Sequence, residues 1–314
     1  MRVTEHFERA QSTLFSYEII PPPRGKSVRD IIDIVEQLVP LEPPFIDVTS
    51  HMAEAIYEEK QDGTLIRRVR KKRPGTLSIC GIIQNRYGID TVPHLLCSGF
   101  TREETEDAVI ELNYLGIQNC LAIRGDESNY QERVDPSRTR NLYAVDLVRQ
   151  LAALRRGRYL EELTDSEPID LCIGVGAYPE KHYESPNLKV DIAYLKAKVD
   201  AGADYVVSQM FFDNASFFAF EERCRRAGIT VPIVPGIKLL QRKHHLTSLP
   251  RNFYAGIPEE LADEVLASPD QVREIGVRWG KRQCEELIDH GVPCIHFYVM
   301  NDATAVVDVV RALR

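Results

Sequence analysis

Glu18 stands inside a run that is otherwise almost wholly apolar, LFSYEIIPPPR at residues 14–24. Leu14, Phe15, Tyr17, Ile19 and Ile20 read as a parallel strand covered on both faces, and three prolines stop it at once. A carboxyl near the C-terminal end of such a strand is either a paired structural charge or an acid kept for proton transfer. Further chemistry-bearing side chains fall at the ends of later apolar runs: Thr49 with His51, His94, Arg124 with Asp126, Tyr178 with Glu180 and His182, Gln209 with Asp213, Lys238, and His296 with Tyr298. Each has an ordinary reading alone: His94 as a hydrogen-bonded core histidine, Arg124 and Asp126 as a loop pair, His182 as a surface residue. Their density at strand ends is hard to explain by packing.

The spacing narrows the chemistry. The histidines show no HxH or HExxH pattern, with His244-His245 the one adjacent pair, so a metal is not expected. There is no GxSxG nucleophile elbow and no lysine inside an apolar strand to form a Schiff base. Carboxylates and amides set among several His, Tyr and Arg side chains suit a large bound cofactor whose own ring does the difficult step.

These residues need a scaffold, and the bulk properties allow one. With 314 residues and 44% hydrophobic content the chain can bury a sizeable core. Its net charge of −8 offers no global basic field for nucleic acid. The one basic run, RRVRKKR at 67–73, reads as a solvated face on a helix end. Seven cysteines without a CxxC pair suit buried reduced thiols. The N-terminus is charged, unlike a secretory signal, and no stretch reaches the ~20 apolar residues that span a bilayer. A cytoplasmic protein with no membrane contact is expected.

Strand and helix signals then alternate. Helical spacing of Ile31, Ile32, Ile34, Val35 and Leu38 follows Ser27, and prolines at 40, 43 and 44 close it. Residues 45–50 (FIDVTS) read as a strand and 64–70 as a helix; 77–83 (LSICGII) and 92–97 (VPHLLC) both look like strands, so a strand-like insertion is expected near 75–90. Thr101-x-x-Glu104 is a capping box for a helix that ends at Gly116. Strands at 120–123, 169–177, 205–212, 231–235 and 294–300 are followed by helices at 142–154, 190–201, 215–227, 258–290 and 304–313. Eight βα units without a break in composition predict one (β/α)8 TIM barrel over residues 1–314. A doubly wound sheet is the alternative, but no GxGxxG turn follows the first strand. In a barrel the strand ends named above share one mouth.

Eight segments carry a resemblance in order: YEIIPP at 17–22, PHLLC at 93–97, AIRGD at 122–126, YAVDL at 143–147, AYPE at 177–180, KVDAGA at 198–203, SQMFFD at 208–213 and HFY at 296–298. Together they resemble the methylenetetrahydrofolate reductase family, in its bacterial form with the catalytic barrel only. The resemblance implies non-covalent FAD, NADH or NADPH as co-substrate, and reduction of 5,10-methylenetetrahydrofolate to 5-methyltetrahydrofolate for methionine synthesis. It implies that Glu18 is the general acid, that Asp126 binds the pterin beside the flavin, and that Gln209 and Tyr298 bind folate. The implied cofactor contacts are Thr49, His94, Arg124, Gly125, Asp126, Tyr143, Ala144, Tyr178, His182, Asp191 and Lys198. Arg124, His182 and Lys198 also suit a pyrophosphate on chemical grounds.

The chain departs from the family pattern at Ser50 and His51, where tyrosine and glycine are frequent in bacterial members. It also departs at Leu249, where an aromatic residue is expected, and at Asp302, where an arginine is common. A C-terminal regulatory domain is not expected, and a homo-oligomer is compatible with these residues. Two competing readings are a folate-binding barrel that transfers the methyl group to a corrinoid, and a flavin-free barrel subunit that docks a redox partner.

Overall fold

The computed structural model describes residues 1–70, 73, 75–125 and 139–314. A short helix α1 (Val3–Arg9) precedes the first strand β1 (Leu14–Ile19), helix α2 (Arg29–Leu38) and strand β2 (Phe45–Val48). Strands β3 (Glu54–Glu59) and β4 (Leu65–Arg70), helix α3 (Thr76–Tyr87), β5 (Asp90–Leu96), α4 (Arg102–Tyr114), β6 (Asn119–Ile123) and α5 (Ala144–Leu154) follow. The remainder is β7 (Cys172–Ala177), α6 (Leu188–Ala201), β8 (Tyr205–Met210), α7 (Asn214–Arg226), β9 (Ile233–Ile237), α8 (His245–Phe253), α9 (Glu259–Ala267), α10 (Val272–His290), β10 (Cys294–Met300) and α11 (Thr304–Leu313). The sheet closes in the order β1-β10-β9-β8-β7-β6-β5-β2. All neighbours in it are parallel. This is the (β/α)8 barrel expected from the strand spacing.

Local chemistry explains the helix ends. Thr101 Oγ1 accepts from Glu104 N at 3.1 Å while a Glu104 carboxylate oxygen accepts from Thr101 N at 2.8 Å, so the capping box starts α4. Helix α2 buries Ile31, Ile32, Ile34, Val35 and Leu38 against the barrel wall. Helix α1 closes the N-terminal end of the barrel. The backbone N–H of buried Val3 donates to Asn119 Oδ1 at 2.8 Å, and Phe7 meets Phe45 and Tyr205 edge-on. The opposite mouth, where the strands end, is left for chemistry.

Two expected elements change. Residues 64–70 form strand β4, which pairs with β3 in an antiparallel hairpin outside the barrel. Cross-strand ion pairs join Glu54 to Arg70 at 2.8 Å and Glu58 to Arg68 at 2.7 Å. Asp62 and Gly63 build the turn between them, with Asp62 Oδ1 accepting from Thr64 N at 2.9 Å and Gly63 at φ +79°. The first part of the basic run, residues 67–70, therefore lies on a strand, with Arg67, Arg68 and Arg70 exposed. The inserted element is this hairpin. Residues 77–83 belong to helix α3, which buries Ile79, Cys80 and Ile83 and ends at left-handed Gly88. An apolar run this short has no periodicity that separates a buried strand from a helix.

Inside the mouth, Gly236 admits a close approach that a larger residue would block. A Cβ there would lie 2.2 Å from the Ser208 carbonyl oxygen and 2.6 Å from the Tyr298 ring. The Tyr298 hydroxyl donates to that same carbonyl at 2.7 Å, which fixes the ring.

Candidate functional site

Glu18 is the second-last residue of β1, and its register neighbours are Asp47 on β2 and Tyr298 on β10. Its Oε2 lies 3.5 Å from Nε2 of His94, a buried histidine on β5. The same nitrogen is 3.6 Å from Asp47 Oδ2. His296 approaches Asp47 from the other side, Nδ1 to Oδ1 3.9 Å, and Ser16 Oγ lies 2.9 Å from that Nδ1. Lys238, just past β9, donates to the Tyr298 carbonyl at 2.8 Å.

Burial sets the proton affinities here. It pushes Glu18 up from 4.5 to about 7; His94 and Lys238 oppose that rise, and the like charge of Asp47 adds to it. Burial likewise lifts Asp47 to about 7 against the pull of His296. His94 and His296 are held below the usual imidazole range by burial, against the nearby carboxylates. Lys238 falls to about 8 for the same reason, with Glu18 and Asp302 opposing. An acid with pKa near 7 at a barrel mouth can hold and deliver a proton at neutral pH.

A second group of side chains lies along the ends of β6 and β7. Arg124 follows β6, and its guanidinium pairs with Glu184 at 2.8 Å. Gly125 next to it takes φ +85°, where a Cβ would press on Met52 and Ser98. The loop after β7 brings Tyr178 edge-on to His182, ring centres 4.6 Å apart. Asp191 on α6 accepts from the His182 backbone N–H at 2.9 Å and from Ser185 Oγ at 2.8 Å, so it holds the loop in place. Burial depresses His182, opposed by Glu184 and Asp191. Lys198 of α6 donates to the Gly176 carbonyl, and burial lowers it to about 8. Glu180 accepts from Gly256 N at 2.6 Å and Tyr183 stacks on Tyr254, which ties this loop to the one after α8.

Glu18 and His94 thus meet directly, with Tyr298 beside them, and Arg124, Gly125, Tyr178, His182, Asp191 and Lys198 line the adjoining strand ends. Thr49 lies just past β2, where its backbone N–H donates to the Ile19 carbonyl at 3.1 Å. Gln209 is at the end of β8, its Oε1 accepting from Met210 N at 2.9 Å. Tyr143 and Ala144 open α5, with the Tyr143 ring exposed and no contact to the cluster among the described residues. Asp126 lies outside the described residues.

At the positions that depart from the family pattern, Leu249 is buried against an apolar cluster that includes Met210, Phe212 and Leu240. Asp302 accepts from Thr304 N at 3.0 Å and from its hydroxyl at 2.7 Å, so it serves the start of α11.

Sequence reasoning missed Asp47 and Glu184. Asp47 carried the same signal as Glu18, an acid within an apolar strand. Glu184 carried none, since only the loop path brings it to Arg124.

The donor set suits a dinucleotide. Among the described residues the largely enclosed Lys198 ammonium donates to one neutral carbonyl and has Asp191 as its nearby negative charge, and an anionic diphosphate would supply further acceptors. Arg124 and His182 add further polar groups at the same strand ends, and Gly125 beside Arg124 takes the positive φ that favours glycine.

A model of the methylenetetrahydrofolate reductase family matches residues 2–314. The chain belongs to that family. Among curated relatives, methylenetetrahydrofolate reductase 1 of Schizosaccharomyces pombe is 31% identical over 98% of this chain and 47% of its own length. The 5,10-methylenetetrahydrofolate reductase of Salmonella typhimurium is 30% identical over 92% of this chain and 86% of its own length. The chain spans about half the length of the eukaryotic relatives in the family that it matches. Among solved structures, a Clostridium thermocellum protein described as binding two copies of 5-methyl-5,6,7,8-tetrahydrofolic acid superposes with a TM-score of 0.61. It is 14% identical, covers 99% of this chain and 98% of its own, and shows the shared fold. Among the described residues no helix is long and apolar enough to cross a membrane.

Proposed function

We propose that the chain reduces 5,10-methylenetetrahydrofolate to 5-methyltetrahydrofolate with NADH or NADPH, in two half-reactions at one site that holds FAD. The observation that carries this reading is the largely enclosed Glu18 carboxyl near the end of β1, 3.5 Å from His94, in a barrel whose β6 and β7 ends hold the cations Arg124 and Lys198. Bound FAD would supply the hydride-transfer chemistry between the nicotinamide and the folate. Arg124, His182 and Lys198 would hold its pyrophosphate, and Thr49, His94, Gly125 and Tyr178 would supply further cofactor contacts.

Glu18 gives its proton to a folate nitrogen, which opens the methylene bridge to an iminium ion able to accept hydride. Gln209 and Tyr298 orient the pterin. Asp126 supplies negative charge near the cation, a role that rests on the family motif. Glu184 pairs with both terminal nitrogens of Arg124, so it would compete with a diphosphate for that guanidinium.

The test is Glu18→Gln, assayed anaerobically one half-reaction at a time. NADH still bleaches the flavin, and folate reduction falls by about 10²–10⁴-fold. Equal loss of both half-reactions refutes the general-acid role, and a colourless protein that takes up no added FAD refutes the whole reading.

A further inference from the structure

The barrel holds a second acid that this chemistry does not use. Asp47 lies across from Glu18 in the β1–β2 register and is fully buried. Among the described residues neither of its carboxyl oxygens has a hydrogen-bond partner. A structural buried carboxylate is normally met by donors, since leaving it bare costs several kcal/mol. Here, imidazoles approach on two sides instead: His94 Nε2 at 3.6 Å and His296 Nδ1 at 3.9 Å. The other titratable groups that feel its charge are Glu18 on β1, Cys80 on α3, Tyr205 on β8, and Cys294 and Tyr298 on β10. Of all these, only the imidazoles can carry positive charge, and burial holds both below their ordinary range.

His94 Nε2 is nearly equidistant from the two acids, 3.5 Å from Glu18 and 3.6 Å from Asp47, and among the described residues it has no hydrogen bond. One imidazole between two carboxyls cannot neutralise both; Lys238 also faces Glu18 and His296 also faces Asp47, and each opposes the rise in proton affinity that burial imposes. The first carboxyl to ionise opposes ionisation of the second, so the two titrate as a pair.

We propose that Asp47 is a positioning residue for the Glu18 proton: the two carboxyls share the His94 imidazole, and Asp47 keeps Glu18 protonated until folate takes that proton. The transfer moves one proton from the Glu18 carboxyl to a folate nitrogen and leaves the negative charge on Glu18; no electrons move in it, and water at the mouth restores the proton. This inference rests on the general-acid reading of Glu18.

The experiment compares wild type with Asp47→Asn, which keeps the shape and removes the charge. Folate reduction by pre-reduced enzyme is followed against pH and expressed relative to the nicotinamide half-reaction of the same variant. In parallel, the infrared band of protonated carboxyls is titrated in the substrate-free protein. Removing a like charge lowers the pKa of its neighbour, so the high-pH limb of folate reduction moves down by about one pH unit. The carboxyl band loses one component near neutral pH, and the remaining component titrates lower. Asp47→Ser, which is smaller and also uncharged, gives the same shift. A limb and a band that stay at their wild-type pH in both variants overturn the proposal. If the band shifts while Glu18→Gln retains full folate reduction, the coupling stands and the general-acid reading fails.

Discussion

Lys198→Met separates what the site needs from what the fold prefers. The Lys198 ammonium holds its proton up to 10.5 in the unfolded chain but releases it at about 8 in the folded protein, because burial strips its hydration. Between those pH values the unfolded state binds more protons, so stability rises with pH there; below about 8 the whole penalty is present. At ~1.4 kcal/mol per pH unit the interval makes that penalty about 3 kcal/mol. Methionine avoids it and forfeits the hydrogen bond to the Gly176 carbonyl, about 1 kcal/mol. The cofactor-free variant is therefore more stable than wild type at pH 7 by about 2 kcal/mol, a rise in Tm of roughly 3 °C for a chain of this length. Near pH 10.5 the advantage disappears. The same substitution removes a charge-assisted donor to the pyrophosphate, so FAD binds about 10- to 100-fold more weakly. Thermal scans of stripped protein at pH 7 and 10.5, with FAD titration by fluorescence, measure both effects. A variant that is less stable at pH 7, or that binds FAD as tightly as wild type, refutes the argument.

Other changes test neighbouring parts of the site. Gly236→Ala places a methyl 2.2 Å from the Ser208 carbonyl and pushes on Tyr298. Urea unfolding should show a loss of about 1–3 kcal/mol, and KM for folate should rise more than KM for the nicotinamide. Glu184→Gln removes the carboxylate that competes for Arg124, a partly exposed pair worth up to about 1 kcal/mol. FAD affinity should then increase by up to about fivefold, and an unchanged or weaker affinity would place the pyrophosphate away from Arg124.

The order of strands was legible because each barrel strand is a short apolar run, and burial on both faces demands that composition. The helices that follow announce themselves through caps such as Thr101 with Glu104. Residues 64–70 read as a helix in the sequence although 65–70 form β4, because their side chains are nearly all exposed: with little burial, composition carries no period, and only the Asp62-Gly63 turn marks the hairpin. The run at 77–83 was misread for the opposite reason, being apolar all round.

What the sequence by itself determined about the site is which side chains stand at strand ends, since strand order and direction place those ends at one mouth. It therefore placed Glu18, His94, Arg124, His182 and Tyr298 at that mouth, while Lys198, on α6, came only from the family resemblance. Only the tertiary structure decided their partners: His94 between Glu18 and Asp47, Glu184 on Arg124, Lys198 on the Gly176 carbonyl, and α1 closing the far end. Proton affinity and ion pairing depend on distances between residues far apart in the chain and on the water excluded around them. Closure of the barrel sets both.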